Sequence, residues 1–141
     1  AFATMMGQVE GHTRMFVVRE LNQLVRPPTM MTTKTTIRSA AYVELLGGVV
    51  QGAIGDAIVD CVIEGVIPKA AIDDLCMIVM VWLDERCASD PNLDKKDLYR
   101  TQYEAMKIAV SRALKGEPTV KELIKNRKTV KHYALDGIVD Y

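Results

Sequence analysis

The chain has 141 residues, of which 49% are hydrophobic and 26% charged, and its formal net charge is zero. This composition predicts one globular domain and excludes a chain that is disordered over most of its length. The zero net charge also argues against general electrostatic binding to nucleic acid or to an anionic membrane surface.

The three cysteines, Cys61, Cys76 and Cys87, show no CxxC spacing. Cys61 and Cys76 lie in apolar segments, so we expect both to be buried as small hydrophobic residues, which favours a reducing compartment. The two histidines are far apart in the chain, so the sequence predicts no zinc or other metal site. Residues 76–83 form the longest apolar run, which is too short for a membrane span, and no signal peptide opens the chain. We therefore expect a cytoplasmic protein.

The first part of the chain combines a weak helical pattern with two strands. Residues 1–9 favour a helix, and residues 13–18 predict a strand. Pro27-Pro28 predicts a turn, because neither proline offers a backbone N–H. The β-branched residues 29–36 predict an edge strand or a half-buried strand.

Two helices follow in the predicted order of elements. Residues 37–46 predict a short helix that Gly47-Gly48 breaks. In residues 49–65 the apolar side chains repeat at i, i+1, i+4 and i+5, which places them in one stripe along a core helix. Gly65 and Pro68 end this helix.

Gly52 and Gly55 interrupt the core helix. Each glycine costs the helix about 1 kcal/mol relative to alanine. A close approach by another element of the fold, or by another subunit, would compensate for this cost. The sequence therefore predicts a tight contact along this part of the helix.

The second half of the chain predicts a strand and then a long helix. Residues 76–83 lack polar alternation, which indicates a strand buried on both faces, with Trp82 in the core or in an interface. Residues 94–115 predict the longest helix, which Gly116 caps.

The last segments complete the predicted fold. Residues 118–126 predict one further short helix, and residues 127–141 predict an irregular tail. Strands and helices are mixed without strict alternation. The sequence therefore predicts a single α+β domain, residues 1–141, in which helices cover one face of a mixed sheet.

A series of short motifs follows one another over roughly residues 15–132. They are Arg26-Pro27, Thr29-Met30-Met31, Lys34-x-Thr36-Ile37, Val49 to Gly65 with Val66-Ile67-Pro68 behind it, Asp73-Asp74-Leu75, Tyr103-Glu104-Ala105-Met106-Lys107, Gly116-Glu117-Pro118, Arg127-Lys128 and His132. Their order and spacing resemble those of the formaldehyde-activating enzymes, which are 5,6,7,8-tetrahydromethanopterin hydro-lyases.

The resemblance implies a lyase of one-carbon metabolism that detoxifies formaldehyde. Its members condense formaldehyde with tetrahydromethanopterin, the co-substrate, and release water as methylene-tetrahydromethanopterin forms. Such a reaction needs alignment of the reacting atoms and a general acid, but no metal and no redox cofactor. The family also forms ring-shaped homopentamers with the site between neighbouring subunits, so the resemblance implies a ring-forming homo-oligomer.

Four residues match positions that contact the pterin in the family: Lys34, Thr36, Gln51 and Phe16. Their residue types leave other roles open. Lys34 would also serve as an outward-facing strand lysine, and Thr36 as a strand-forming residue. Gln51 would also suit a solvated helix N-terminus, and Phe16 would suit the core.

The chain departs from the family pattern at the catalytic acid. The family's proposed general acid is a histidine followed two residues later by an aspartate, and both match positions upstream of Ala1. Gly52 also stands where many members have histidine. His12 and His132 remain as candidate proton donors, and the catalytic residue is otherwise unknown.

This departure leaves two hypotheses and leaves open whether the chain is an enzyme. The chain is either an N-terminally short formaldehyde-activating enzyme or a non-catalytic paralogue. The paralogue would act as a pterin-binding subunit or as an assembly subunit of a larger complex. In both cases the first strand presents an open sheet edge, which a partner chain would cover.

Overall fold

The computed structural model describes residues 13–129. One sheet contains three strands, β1 (Arg14–Phe16), β2 (Thr29–Thr33) and β3 (Met77–Val81). The helices are α1 (Ala40–Leu45), α2 (Gln51–Ile63), α3 (Lys95–Lys115) and α4 (Val120–Asn126). A π-helical turn (Leu46–Val50) joins α1 to α2, and short 3-10 turns lie at Glu20–Asn22, Lys69–Ala71 and Glu85–Ala88. The proposed helix at 1–9 and most of the proposed tail lie outside the described residues.

The sheet is mixed, as the sequence predicts, and its strand order is β1-β2-β3. β1 runs antiparallel to β2, with Phe16 opposite Met30, whereas β2 runs parallel to β3. Because β2 has a neighbour on each side, the prediction of an edge strand is wrong and that of a half-buried strand is confirmed.

Helices cover one face of this sheet. Met31 and Val81 point from the sheet into the core, where Ile54 and Ile58 of α2 join them. Met106 of α3 belongs to the same buried cluster, so the core lies between the sheet and the two long helices. The prediction of an α+β domain with helices on one face is confirmed for the described residues.

The prediction that residues 76–83 are buried on both faces is wrong. Ile78, Met80 and Trp82 are exposed, whereas the residues between them are buried or half-buried. Alternate side chains of a strand point to opposite faces, and this face of the sheet has no layer over it within the described residues. Trp82 is therefore not a core residue, and its predicted place in an interface stays a prediction.

Gly47-Gly48 does not break the helix, contrary to the prediction. The chain stays helical from Ala40 to Ile63, with Gly47-Gly48 inside the π-helical turn. Leu46 and Val50 flank the glycines and are fully buried, so core packing holds the segment helical despite its weak propensity. By length and composition this 24-residue segment would suffice to cross a membrane, a test that the core helix of a globular protein also passes.

The ends of the helices follow the sequence signals closely. Asp94 caps α3, and its carboxylate accepts hydrogen bonds from the backbone N–H groups of Lys96 and Asp97. Gly65 and Gly116 follow α2 and α3 with positive φ angles of 78° and 65°. These predicted helix ends are confirmed.

The cysteine predictions have mixed outcomes. Cys61 lies in the core, as expected, and burial raises the pKa of its thiol, which disfavours the reactive thiolate. Cys76 is exposed, so the prediction of a buried thiol is wrong. It immediately precedes β3, on a segment that no helix covers.

Gly55 confirms the predicted tight contact, whereas Gly52 does not within one chain. A Cβ atom at Gly55 would lie 3.3 Å from Val17 Cγ1 and 3.3 Å from Arg19 Cδ. A Cβ atom at Gly52 would meet no atom within 4 Å among the described residues. A subunit contact at Gly52 stays a prediction.

The two glycines allow a matched test of this packing. We expect Gly52→Ala to stabilise the fold by about 0.5–1 kcal/mol, because alanine has the higher helix propensity and the space is open. We expect Gly55→Ala to bring no gain, because the new methyl group crowds Val17 and Arg19. Urea unfolding of both variants would measure the difference, and equal stabilisation by the two substitutions would contradict it.

Candidate functional site

The carboxyl ends of the two parallel strands lie at the same edge of the sheet. β2 ends at Thr33 and β3 at Val81, and these residues are paired in the ladder. The Lys34 backbone N–H donates to the Val81 carbonyl at 2.8 Å, so the chain leaves both strands at the same level. Ligands of open α/β sheets bind outside the carboxyl ends of parallel strands, which makes this edge a candidate site.

A cleft of about 250 Å³ lies there. The residues that line it are Thr36, Arg38, Ser39, Tyr42, Glu85, Arg86 and Ser89. The Tyr42 phenol donates to the Leu83 carbonyl at 2.9 Å, and the Thr35 hydroxyl donates to the same carbonyl at 3.0 Å. These two bonds fasten the segment after β2 to the segment after β3 and fix the walls of the cleft.

The charges around the cleft are paired. Both Asp84 carboxylate oxygens accept from the Arg86 guanidinium, at 2.6 and 2.9 Å. These hydrogen bonds lower the pKa of Asp84 to about 2 and raise that of Arg86. Arg38 lies 3.9 Å from Glu85. The cleft therefore offers hydroxyl groups and charges of both signs, which suits a polar ligand with donors and acceptors.

Lys34 and Thr36, which the sequence predicts to lie on the strand 29–36, lie just beyond it, because β2 ends at Thr33. Lys34 is exposed and follows β2 directly, while Thr36 lines the cleft two residues later. Both side chains are accessible to a ligand.

Gln51 and Phe16 lie elsewhere in the chain. Gln51 begins α2, and its side-chain amide donates to the Gly47 carbonyl at 3.1 Å within the same helix. Phe16 is half-buried in β1 opposite Met30. Lys34 is four residues beyond Met30, so Phe16 and Lys34 are about 13 Å apart along the ladder. Neither Phe16 nor Gln51 lines the cleft that contains Thr36.

The candidate proton donors His12 and His132 lie outside the described residues. Within residues 13–129 no group of three or more histidine, cysteine, aspartate or glutamate side chains is arranged to hold a metal ion. The prediction that no metal is needed stays a prediction.

A second cavity, of about 370 Å³, lies beside the π-helical turn. Gly48, Glu44, Cys87, Asp90 and Lys95 contribute to its walls. None of the four predicted pterin contacts lines it. The cleft at the strand ends therefore remains the candidate site.

The uncovered face of the sheet is a candidate ligand or partner surface that the sequence does not reveal. Ile78 and Met80 of β3 and Trp82 just beyond it alternate on this face, and Met30 and Phe16 lie on the same side of the neighbouring strands. The run from 76 to 83 is apolar throughout, so no polar alternation marked the exposed positions. Trp82 follows β3 as Lys34 follows β2, which places it next to the candidate site.

A polar ladder between α2 and α3 was also missed. Tyr103 donates to Asp60 at 2.6 Å, and Lys107 donates to Glu64 at 2.5 Å. One turn earlier, Tyr99 donates to Asp56, which also pairs with Arg19. The i, i+4 spacing on both helices is the signal that would have found it.

Comparison with known proteins identifies relatives over most of the chain. A family model described as Formaldehyde-activating enzyme (Fae) matches residues 1–135. The 5,6,7,8-tetrahydromethanopterin hydro-lyase of Methanosarcina barkeri is 34% identical over 123 residues, which cover 87% of this chain and 66% of that protein. The Bifunctional enzyme Fae/Hps of Methanothrix thermoacetophila is 33% identical over 136 residues, 94% of this chain and 33% of that protein. The chain thus spans two thirds or less of the length of these curated relatives.

The ladder gives a titration test. The hydrogen bond to the Asp60 carboxylate, with some burial, raises the pKa of Tyr103 because it favours the neutral phenol. This contribution to stability is fully present below the ordinary tyrosine pKa of about 10 and is lost as pH rises through the raised value. We expect Asp60→Asn to return the pKa of Tyr103 towards its ordinary value.

Absorbance titration would measure this change, with a Tyr103→Phe variant to subtract the other four of the five tyrosines. Asp56→Asn is the matched control, since Asp56 bonds to Tyr99 and not to Tyr103. An unchanged Tyr103 titration in Asp60→Asn would contradict the proposed cause.

Proposed function

Because this chain belongs to the formaldehyde-activating enzyme family, we propose that it condenses formaldehyde with tetrahydromethanopterin to methylene-tetrahydromethanopterin. The observation that carries the proposal is the family match over residues 1–135, within which Thr36 lines an accessible cleft and Lys34, two residues earlier, is exposed. A relative that is 34% identical bears the name of a tetrahydromethanopterin hydro-lyase. We place the reaction in the cytoplasm and without a metal.

The chemistry sets what the site must provide. A ring nitrogen of the pterin attacks the formaldehyde carbon and gives a carbinolamine. Its hydroxyl group leaves as water after it receives a proton, and the second nitrogen then bonds to the same carbon, releases its own proton and closes the new ring. The protein must position the two nitrogens so that both can bond to the formaldehyde carbon, and it must supply a general acid.

In the proposed site, Lys34 and Thr36 bind the polar edge of the pterin. The Lys34 ammonium would donate to a ring carbonyl, and the Thr36 hydroxyl would donate or accept beside it. Both side chains lie where the two parallel strands end, and the hydrogen bonds to the Leu83 carbonyl hold the surrounding segments in place. The site would therefore be largely formed before substrate binds.

Phe16 and Gln51 would complete the site from a neighbouring subunit. Phe16 lies about 13 Å from Lys34 along the same sheet, and Gln51 lies in the helical layer. A homo-oligomer with the site at a subunit boundary would bring such distant positions together around one pterin. The uncovered apolar face of the sheet supports an assembly of this kind.

We expect the chain to accelerate the condensation above its spontaneous rate. Lys34→Ala should lower kcat/KM by about 10- to 100-fold, because a hydrogen bond from a charged donor contributes about 1.5–3 kcal/mol. Stopped-flow measurement of methylene-tetrahydromethanopterin formation would test this, with Gln51→Ala as a second site variant. Lys69→Ala, an exposed lysine on a 3-10 turn away from the cleft, is the matched control.

If the chain binds the pterin but the reaction proceeds only at its spontaneous rate, the chain is the non-catalytic alternative, a pterin-binding or assembly subunit. Absence of both rate enhancement and pterin binding would remove the proposal entirely.

For the proton donor we favour His12, which precedes the strand that carries Phe16. A general acid contributes about 10²- to 10⁴-fold, so His12→Asn should reduce kcat by a factor in this range. His132→Asn is the matched control and should stay near the unsubstituted rate. A loss confined to His132→Asn, or absent from both variants, would assign the proton donor to another group.

A further inference from the structure

Two apolar surfaces are exposed in the part of the chain that the structure describes. The β3 row consists of Ile78, Met80 and Trp82 on the open face of the sheet, and the α4 stripe consists of Val120, Leu123 and Ile124. The exposed fractions of these six side chains run from 55% to 72%. Contiguous exposed apolar side chains of this kind mark interaction surfaces.

We propose that α4 of one copy of this chain packs its stripe on the β3 row of a second copy. The two surfaces have similar lengths. α4 has seven residues, which gives a helix of about 10 Å, and the β3 row extends over about 13 Å. Val120, Leu123 and Ile124 follow an i, i+3, i+4 spacing, so one side of the helix would meet the row.

α4 needs such a surface to stay helical. No residue of α4 is buried by the rest of residues 13–129, and isolated helices of this length are marginal in water. Its start is nevertheless fixed by a capping box, in which Thr119 Oγ1 accepts from the Glu122 N–H and Glu122 accepts from the Thr119 N–H. α4 is therefore a preformed arm whose apolar side lacks a partner among the described residues.

The charges at the ends of the two surfaces are complementary. Arg127 continues the stripe at the i+7 position, and its guanidinium donates to the Ile124 carbonyl at 2.6 Å. Asp84 and Glu85 follow the β3 row in the chain. Asp84 is paired with Arg86, whereas a Glu85 carboxylate oxygen lies 3.9 Å from the Arg38 guanidinium. Arg127 would meet Glu85 when α4 runs in the direction of β3. The zero net charge of the chain adds no general repulsion between copies.

This contact joins two different surfaces, so it is heterologous and each copy carries one of each. It also leaves the Phe16 side of the sheet free. β1 lies two strands from β3, a distance of about 10 Å, which is close to the width of a helix. The inference therefore concerns assembly and does not rest on the proposed catalytic function.

Complementation between two variants tests the contact. The arm variant, Leu123→Glu with Ile124→Glu, and the face variant, Met80→Glu, should each be monomeric by analytical ultracentrifugation, whereas the unsubstituted chain should be oligomeric. A mixture of the two variants retains one intact arm and one intact face, so it should form a heterodimer. These positions are exposed, and circular dichroism would verify that each variant is folded.

Trp82 is the only tryptophan of the chain and lies in the β3 row, so its fluorescence reports the covering of that row. We expect a blue-shifted emission in the assembled chain and a red-shifted emission in the arm variant. Ile108→Glu is the matched control, because Ile108 is also apolar and 58% exposed but lies on α3. This variant should assemble like the unsubstituted chain.

A charge exchange tests the direction of α4. Arg127→Glu should raise the dissociation constant by about 3- to 10-fold, and the addition of Glu85→Arg should restore it. If Glu85→Arg does not restore the dissociation constant, the proposed direction of α4 along β3 is wrong.

Other results would overturn the contact itself. An arm variant that stays oligomeric would indicate contact between two sheet faces, without α4. A monomer with blue-shifted Trp82 emission would indicate that α4 covers its own sheet. If the unsubstituted chain is monomeric and its Trp82 emission is red-shifted at every concentration, the copies do not interact.

Discussion

The packing of α2 between the sheet and α3 is the contact on which the rest of this structure depends. One side of α2 is apolar, and Ile54, Ile58 and Cys61 lie fully or almost fully buried in the core. The adjacent side carries acidic residues at a four-residue spacing that bond to α3 in the polar ladder. Burial of the apolar side stabilises the contact, whereas the ladder fixes the register of the two helices. At Gly55 the helix comes so close to Val17 that a methyl group would be crowded.

This arrangement places both long helices on one face of a three-stranded sheet, and it determines what stays accessible. The carboxyl ends of β2 and β3 open onto the cleft beside Thr36, because the chain crosses there into α1 and into the segment before α3. The other face of the sheet has no cover within the described residues, so Met80 and Trp82 are exposed. A polar cleft and an apolar face thus lie next to each other at the end of β3.

The sequence predicts those parts of the fold in which local and tertiary signals agree. The stripe of α2, the Asp94 cap of α3 and the turn at Gly116 all have a strong local pattern, and the structure contains each of them. The predicted helix break at Gly47-Gly48 is wrong because the burial of the neighbouring residues outweighs the low helix propensity of glycine. The predicted burial of residues 76–83 on both faces is wrong because an apolar run has the same appearance whether one face of the strand is covered or both.

The candidate site was predictable only in part, for a related reason. Lys34 and Thr36 are two residues apart after one strand, so their proximity follows from the sequence alone. The places of Phe16 and Gln51 depend on sheet order and on helix packing, which no local pattern specifies. The resemblance to the family named these residues, and the structure places Phe16 in β1 and Gln51 at the start of α2.

This separation has a consequence for the proposed chemistry. Phe16 and Lys34 are about 13 Å apart along the sheet, so they would contact a bound pterin at well separated points. A site that uses both positions must draw them from different copies or extend along the open face between them. The one-sided cover of the sheet permits either geometry, because it leaves the strand ends accessible and the apolar face without a partner. Assembly and substrate binding would then depend on the same feature of the fold, the single helical layer that α2 anchors.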